Sequence, residues 1–296
     1  MVPGAVLVIV AVGILAGTWS AVMANHPAYQ LTLLASVVLG LALVASGARS
    51  RPAVSGGALR TTLRVLAAAS VIGLAAMLVW LKPFLASSEA LQAFGSSPGV
   101  AISDSRTATV YEPETPASAG LVLYGGARVD PRAYAVLAGR IAAKGYRVVV
   151  LKCPFDLQLL CPDAASAYVD DSIPWAVGGH SLGGVAASSY AGSNAAVDGL
   201  VLWASFPVAD ISGRTGLAVS SITGSADGLS TPAKVAERVP LLPADTLFVE
   251  IPGAIHSFFG DYGLQPDDGV ATISREAAQD QIVAATVALL SRISAP

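Results

Sequence analysis

Three long runs without ionisable side chains dominate the first 82 residues of this 296-residue chain, at positions 5–24, 31–45 and 65–81. A helix needs about 20 residues to cross a hydrocarbon layer of roughly 30 Å, and about 17 is the lower limit. The first and third runs meet this limit, and the second meets it if Thr32 or Gly47 lies within the span. We therefore predict a membrane anchor of three transmembrane helices over residues 1–82.

Two other interpretations of these runs are buried helices of a soluble core and, for the first run, a cleaved signal peptide. Three runs in close succession without amphipathic periodicity argue against core helices. The first run lacks a basic segment before it and is followed by two further runs, which argues against a signal peptide.

Charge is distributed unevenly along the chain. Residues 1–100 contain five basic groups and one acidic group, whereas residues 101–296 contain twelve basic and nineteen acidic groups. An acidic second part without a basic stripe argues against a nucleic-acid partner. With 54% apolar residues, the chain is also not intrinsically disordered.

The arginines predict how the anchor is oriented. The loop between the first two runs has no Lys or Arg, and the second loop contains Arg49, Arg51, Arg60 and Arg64. The positive-inside rule places that second loop in the cytoplasm. We therefore expect a multi-pass cell-membrane protein whose residues beyond the third run lie outside the cytoplasm.

After a predicted linker at residues 83–105, short apolar runs alternate with helical patterns. Continuous apolar runs, such as those at 121–123, 148–150 and 200–202, are typical of strands buried on both faces of a parallel sheet. We predict a doubly wound, mostly parallel α/β domain over residues 106–296. Strands are predicted at 108–112, 120–124, 147–151, 174–177, 199–203, 218–223 and 247–251, and helices at 131–144, 182–190, 231–238 and 272–292.

One motif carries chemistry. The predicted strand at 174–177 leads into Gly179-x-Ser181-x-Gly183, which matches the G-x-S-x-G nucleophile elbow. The flanking glycines suit a strained turn in which the backbone approaches its neighbours closely. The five-residue pattern alone is weak and also fits a structural turn, but between a buried strand and a helix it indicates a nucleophilic serine.

A serine nucleophile needs a general base, and the chain has three histidines. His26 lies between the first two membrane runs, and His180 adjoins Ser181, so its side chain is expected to point away from the nucleophile. His256 follows the last predicted strand and is the candidate base. A packing role for His256 is the alternative.

The acid that orients the base should lie between Ser181 and His256 in chain order. Asp227 follows the predicted strand 218–223 and is the candidate, although an Asp-Gly turn residue would also suit this position. Asp210 is the second choice. The other acids fall before strands or within elements, namely Asp198, Glu237, Asp245 and Glu250.

An oxyanion hole needs two backbone N–H groups. The residue after the nucleophile, Leu182, is expected to supply one of them. The loop that follows strand 120–124 should supply the other, from either Gly126 or Ala127, and the sequence does not decide between these two.

These residues, in this order, resemble the α/β-hydrolase superfamily, and within it the compact dienelactone-hydrolase-like branch. The resemblance covers roughly residues 106–294 and rests on the stretches at 124–130, 178–184, 224–228 and 260–263. It implies hydrolysis of a carboxylic ester or related acyl bond by Ser181, His256 and Asp227. It also implies that neither a metal nor an organic cofactor takes part.

The sequence departs from this family pattern in two places. Dienelactone hydrolases use cysteine where this chain has Ser181, and the His-Gly that often opens the oxyanion loop is Tyr124-Gly125 here. The connection between strands 199–203 and 218–223 is also too short for a cap domain. We expect an uncovered site for a small-molecule or lipid-like acyl substrate.

Cys153 and Cys161 are the only two cysteines. Outside the cytoplasm such a pair can form a disulfide, and two free buried thiols are the alternative. Two further functions remain open, namely acyl transfer through the same triad and a non-catalytic, membrane-bound interaction module. The sequence does not indicate the oligomeric state.

Overall fold

The computed structural model of this chain describes residues 2–49 and 57–295. The chain forms two compact units, Met1–Pro83 and Phe84–Pro296. Arg51, one of the four arginines behind the predicted orientation, lies outside the described residues.

The first unit consists of helices α1 (Val2–Ala24), α2 (Pro27–Arg49) and α3 (Ala58–Trp80). Each is long and apolar enough to cross a membrane. Helix α2 includes Thr32 and is longer than the apolar run at 31–45, because it begins at Pro27 and continues through Gly47 to Arg49. Helix α1 packs against both α2 and α3.

The segment expected to be a linker at 83–105 contains regular structure. Phe84 forms a β-bridge with Val129, and helix α4 (Ser88–Gly95) and strand β1 (Val100–Asp104) follow. The Ser87 side chain accepts a hydrogen bond from the Ala90 N–H and caps α4. The second unit thus begins at Phe84. Serines and glycines whose pattern resembles a linker serve here as caps and turns.

The second unit is built on an eight-stranded sheet in the order β1-β2-β4-β3-β5-β6-β7-β8. The pairs β1–β2 and β2–β4 are antiparallel, and every other neighbouring pair is parallel. The predicted mostly parallel sheet is therefore confirmed. Its other strands are β2 (Ala108–Pro113), β3 (Gly120–Tyr124), β4 (Arg147–Leu151), β5 (Trp175–His180), β6 (Gly199–Trp203), β7 (Ala218–Gly224) and β8 (Leu247–Ile251).

Helices cover both faces of this sheet. Leu121 and Leu123 of β3 join a core with α5 and α8, whereas Val122 and Tyr124 join a second core with α6. Alternate residues of one strand are thus buried on opposite faces, as expected for an internal parallel strand. The helices are α5 (Ala135–Ala142), α6 (Leu182–Ser193), α7 (Pro232–Ala236) and α8 (Arg275–Ser294).

The carboxyl ends of the parallel strands carry the loops that form the candidate site. In the loop after β4, Cys153 and Cys161 are joined by a disulfide, with 5.9 Å between their Cα atoms. The connection at 204–217 between β6 and β7 contains neither helix nor strand. The edge next to β6 therefore has no inserted cap at this connection.

Candidate functional site

Ser181 lies in a sharp turn between β5 and α6. Its backbone has φ 53° and ψ −123°, a region that non-glycine residues rarely occupy. The Ser181 N–H donates to the Trp203 carbonyl at 3.0 Å, and the Ser205 hydroxyl donates to the Ser181 carbonyl at 2.6 Å. Strand β6 and the residues that follow it therefore hold the strained turn in place.

The glycines on either side of Ser181 allow this turn to form. A Cβ on Gly179 would lie 2.2 Å from the carbonyl carbon of Gly183. A Cβ on Gly183 would lie 2.2 Å from the carbonyl oxygens of Tyr124 and Gly125. Gly183 thus brings the start of α6 into direct contact with the loop after β3.

His256 and Asp227 come together in the interior of the domain. The Nδ1 atom of His256 lies 2.8 Å from Oδ2 of Asp227, and both side chains are fully buried. The other carboxylate oxygen of Asp227 accepts the N–H groups of Leu229 and Ser230 at 2.8 and 2.7 Å. The carboxylate is thus oriented by two backbone donors and one imidazole.

The second imidazole nitrogen of His256 is the one that is free to accept a proton in this arrangement. Its Nε2 atom is buried and has no hydrogen-bond partner within the part of the chain that the structure describes. With Nδ1–H donated to Asp227, Nε2 carries the lone pair that a general base needs. No hydrogen bond joins it to Ser181 here, and such bonds often tighten only when substrate is bound.

The other acids considered from the sequence lie elsewhere. The side chain of Asp210 accepts hydrogen bonds from Ser212, and Asp245 forms an exposed ion pair with Arg292. Asp198 accepts the Trp175 N–H at the start of β5, at the edge of the sheet opposite Ser181. Asp227 is thus the one acid from this set that contacts His256.

Asp268 was not recognised from the sequence, although its carboxylate joins the loops of Asp227 and His256. It accepts backbone N–H groups from Gly228 at 3.4 Å, His256 at 3.0 Å, Ser257 at 2.9 Å and Gly269 at 2.8 Å. One side chain thereby sets the spacing between the acid and the base. No local motif signals this role, because the donors are up to 40 residues away.

Replacing Asp268 by alanine is expected to lower both stability and the hydrolytic activity that the family resemblance implies. Hydrogen bonds to a charged group contribute about 1.5–3 kcal/mol each, so we expect unfolding to be easier by about 2–4 kcal/mol. A small separation of the two loops should lower kcat/KM about 10–100-fold. Denaturation curves and p-nitrophenyl ester kinetics measure both effects. Asp267→Asn removes the same charge from an exposed neighbour and should change neither, whereas equal behaviour of the two variants would contradict this role for Asp268.

The two candidate oxyanion donors after β3 differ in their partners. The Gly126 N–H donates to the Tyr134 hydroxyl at 2.6 Å. The N–H groups of Ala127 and Leu182 have no hydrogen-bond partner among residues 2–49 and 57–295. The backbone of Gly126 is therefore already engaged, and Ala127 and Leu182 are the two available donors.

The loop at 125–130, which we call the oxyanion loop, contacts the segment 153–162, which contains the disulfide and which we call the disulfide loop. The Arg128 N–H donates to the Asp156 carbonyl at 2.9 Å, and the Tyr124 hydroxyl donates to the Pro162 carbonyl at 2.6 Å. Asp130 forms a buried ion pair with Arg132 at 2.6 Å. The disulfide loop and the oxyanion loop thus form one connected structure.

His180 lies beneath the candidate site. Its ring is fully buried, and its centroid is 4.7 Å from that of His256. Burial, together with the nearby His256, lowers the pKa of His180 well below its ordinary value. The imidazole of His180 is therefore neutral and does not compete with His256 for a proton.

The described residues offer no alternative centre built on a metal. Within 2–49 and 57–295, no three His, Cys, Asp or Glu side chains are grouped so that they could hold a metal ion.

Comparison with known proteins identifies the family of the second unit. A model of the alpha/beta hydrolase family matches residues 120–280, which include Ser181, Asp227 and His256. The chain belongs to the α/β-hydrolase family. This family membership supports hydrolase activity and confirms the expected superfamily.

Solved structures similar to this α/β hydrolase have low sequence identity to it. The protein m3DLH has a TM-score of 0.51 at 18% identity, covering 66% of this chain and 99% of its own. A dienelactone hydrolase-like promiscuous phosphotriesterase from metagenomic libraries has a TM-score of 0.47 at 18% identity, covering 63% and 92%. An esterase domain from a Rhodothermus marinus protein has a TM-score of 0.47 at 15% identity, covering 64% and 93%. Among curated proteins, no sequence matches this α/β hydrolase.

Proposed function

We propose that this α/β hydrolase is a membrane-anchored serine hydrolase that cleaves a carboxylic ester through an acyl-enzyme. The observation that carries the proposal is the buried pair of His256 and Asp227, in which the Nε2 atom of His256 has no hydrogen-bond partner among the residues that the structure describes. Ser181, in its strained turn at the start of α6, is the nucleophile in the same domain.

In the first half of the reaction, the Ser181 Oγ attacks the ester carbonyl carbon while His256 Nε2 accepts the hydroxyl proton. Asp227 stabilises the imidazolium that forms. The carbonyl π electrons move to oxygen, and the N–H groups of Leu182 and Ala127 donate to that oxyanion. When the tetrahedral intermediate collapses, the C–O bond to the alcohol breaks and the alkoxide takes the proton from His256.

In the second half, water replaces the alcohol. His256 removes a proton from water as the oxygen attacks the acyl carbon, and the resulting intermediate expels Ser181 with return of the proton. The carboxylic acid leaves, and the free enzyme is restored. An alcohol in place of water would give acyl transfer by the same steps.

The open edge at the connection 204–217 favours a substrate that does not need to be enclosed. Exposed apolar side chains follow two strands at this edge, with Leu159 and Leu160 after β4 and Val208 after β6. These side chains suit an acyl group or a small lipid-like ester better than a charged polymer.

Labelling with a fluorophosphonate tests the chemistry. The full-length protein, purified in detergent, is expected to be labelled at Ser181, as located by peptide mass spectrometry. His256→Ala should slow the labelling at least 100-fold, because the hydroxyl then lacks its base. Absence of labelling in folded protein would contradict the proposal and favour a non-catalytic module. Product analysis with added alcohols separates hydrolysis from acyl transfer.

We further propose that α1, α2 and α3 span the cell membrane and that the hydrolase unit lies outside the cytoplasm. The arginines at this end of the helices support the orientation: Arg49 ends α2, Arg51 follows it in the chain, and Arg60 and Arg64 lie in the first two turns of α3. The disulfide between Cys153 and Cys161 supports it independently, since disulfides persist in oxidising compartments. Protease added to intact cells should digest residues beyond 83, and protection of that region would contradict the orientation.

A further inference from the structure

Two fully buried side chains beneath Ser181 take no part in the steps above. Tyr134 ends the turn Pro131–Tyr134 before α5, and His180 is the last residue of β5. Both are 0% exposed, and the Tyr134 hydroxyl lies 3.0 Å from Nδ1 of His180.

The direction of each hydrogen bond in this pair follows from its third member. The Gly126 N–H can only donate, so the Tyr134 oxygen accepts it at 2.6 Å. Within the described residues, Nδ1 of His180 is the one acceptor within reach of the Tyr134 hydroxyl hydrogen, so we assign this hydrogen bond with Tyr134 as the donor and Nδ1 as the acceptor. Since the imidazole of His180 is neutral, its remaining hydrogen is on Nε2.

The pair contacts each loop of the proposed catalytic machinery. A Cβ on Gly126 would lie 2.8 Å from Nδ1 of His180, so the oxyanion loop passes directly over this ring. The ring also packs against that of His256, with 4.7 Å between the ring centroids. His180 is also the residue directly before Ser181 in the chain.

We propose that Tyr134 and His180 are positioning residues that hold the Gly126–Ala127 peptide so that the Ala127 N–H is directed at the oxyanion. This inference rests on the proposed ester hydrolysis. The hydrogen bond from Gly126 fixes one peptide of the loop, and that peptide sets the direction of the next N–H. The buried ring of His180 keeps this hydrogen-bonded chain in register with both Ser181 and His256.

A positioning role has a different kinetic signature from simple core packing. An oxyanion donor acts on charge that exists only in the transition state, so its displacement lowers kcat and leaves KM nearly unchanged. Loss of packing alone lowers the fraction of folded enzyme and leaves the kcat of each remaining active site unchanged.

The test uses the full-length protein in detergent with p-nitrophenyl butyrate, and activity is divided by the active sites titrated with fluorophosphonate. Tyr134→Phe, which removes only the hydroxyl, is expected to lower kcat about 10–100-fold with KM within about 3-fold.

His180→Leu should behave in the same way. His180→Asn places an acceptor oxygen at the position of Nδ1 and should recover kcat to within about 5-fold of wild type. Inhibition by a trifluoromethyl ketone, whose adduct carries an oxyanion, should weaken by the same factor as kcat/KM.

Tyr111→Phe is the matched control, because it removes a buried hydroxyl without a hydrogen-bond partner in the described residues. It should leave kcat unchanged. The proposal is overturned if Tyr134→Phe keeps its kcat per titrated site, or if His180→Asn is as slow as His180→Leu; the second comparison decides if Tyr134→Phe does not fold. Failure of the proposed function is a separate result, in which Ser181→Ala hydrolyses the ester as fast as wild type.

Discussion

Replacing Ser181 by alanine is expected to lower kcat for ester hydrolysis about 10⁴–10⁶-fold. The variant keeps the strained turn but loses the atom that attacks the carbonyl. A residual rate over the uncatalysed reaction should remain, since Ala127 and Leu182 can still donate to an oxyanion. Steady-state kinetics on p-nitrophenyl butyrate with the full-length protein measure the loss, and near-UV circular dichroism checks the fold.

Ser189→Ala is the matched control for this experiment. Ser189 lies on the same helix, α6, and its side chain is exposed to solvent. The control should retain wild-type kcat and melting temperature. Ester hydrolysis by Ser181→Ala within tenfold of wild type would assign the reaction to another residue.

Replacing Gly183 by alanine is expected to destabilise the hydrolase unit by about 3–5 kcal/mol, or to prevent its folding. The added Cβ would lie 2.2 Å from two backbone carbonyl oxygens, which cannot rotate away as a flexible side chain can. Either the start of α6 or the loop after β3 must then move. Because these two segments supply Leu182 and Ala127, the folded remainder should also hydrolyse esters more slowly.

Chemical denaturation of the purified protein measures this loss, and the yield of folded protein reports the extreme case. Gly213→Ala serves as the control, because a Cβ at that position meets nothing within 4 Å. We expect Gly213→Ala to lie within about 0.5 kcal/mol of wild type. Similar denaturation midpoints for the two variants would mean that the elbow tolerates a side chain at 183.

The strands were the most predictable part of the fold. Runs such as 121–123 and 148–150 have no polar position and are short and rich in β-branched residues, which is typical of a strand covered on both faces. Strand β1 and helix α4 were missed because they lie in the segment 83–105, whose serines, glycines and prolines resemble a linker, and because β1 has no buried residue. Their positions depend on pairing with β2 and packing on α5, which local composition does not encode.

In the candidate site, too, some residues could be predicted from the sequence and others depend on the tertiary structure. Chain order and strand position were enough to select Asp227 over Asp210, and the structure brings Asp227 to His256. Asp268 had no local signal, because its four donors come from three separate segments of the chain. The expectation that His180 points away from Ser181 did not indicate that its ring contacts His256.

The order of residues along this chain alone determined that it has three membrane-length helices, an α/β-hydrolase sheet and a serine in a glycine-flanked turn. These features arise from apolar runs, alternation and local turn chemistry, all of which act over a few residues. Only the tertiary structure decided which N–H of the loop after β3 is free. The Gly126 N–H donates a hydrogen bond to the Tyr134 hydroxyl, whereas the Ala127 N–H has no partner among the described residues. The physical reason is that a hydrogen-bond donor is free or engaged according to which distant groups the fold places beside it.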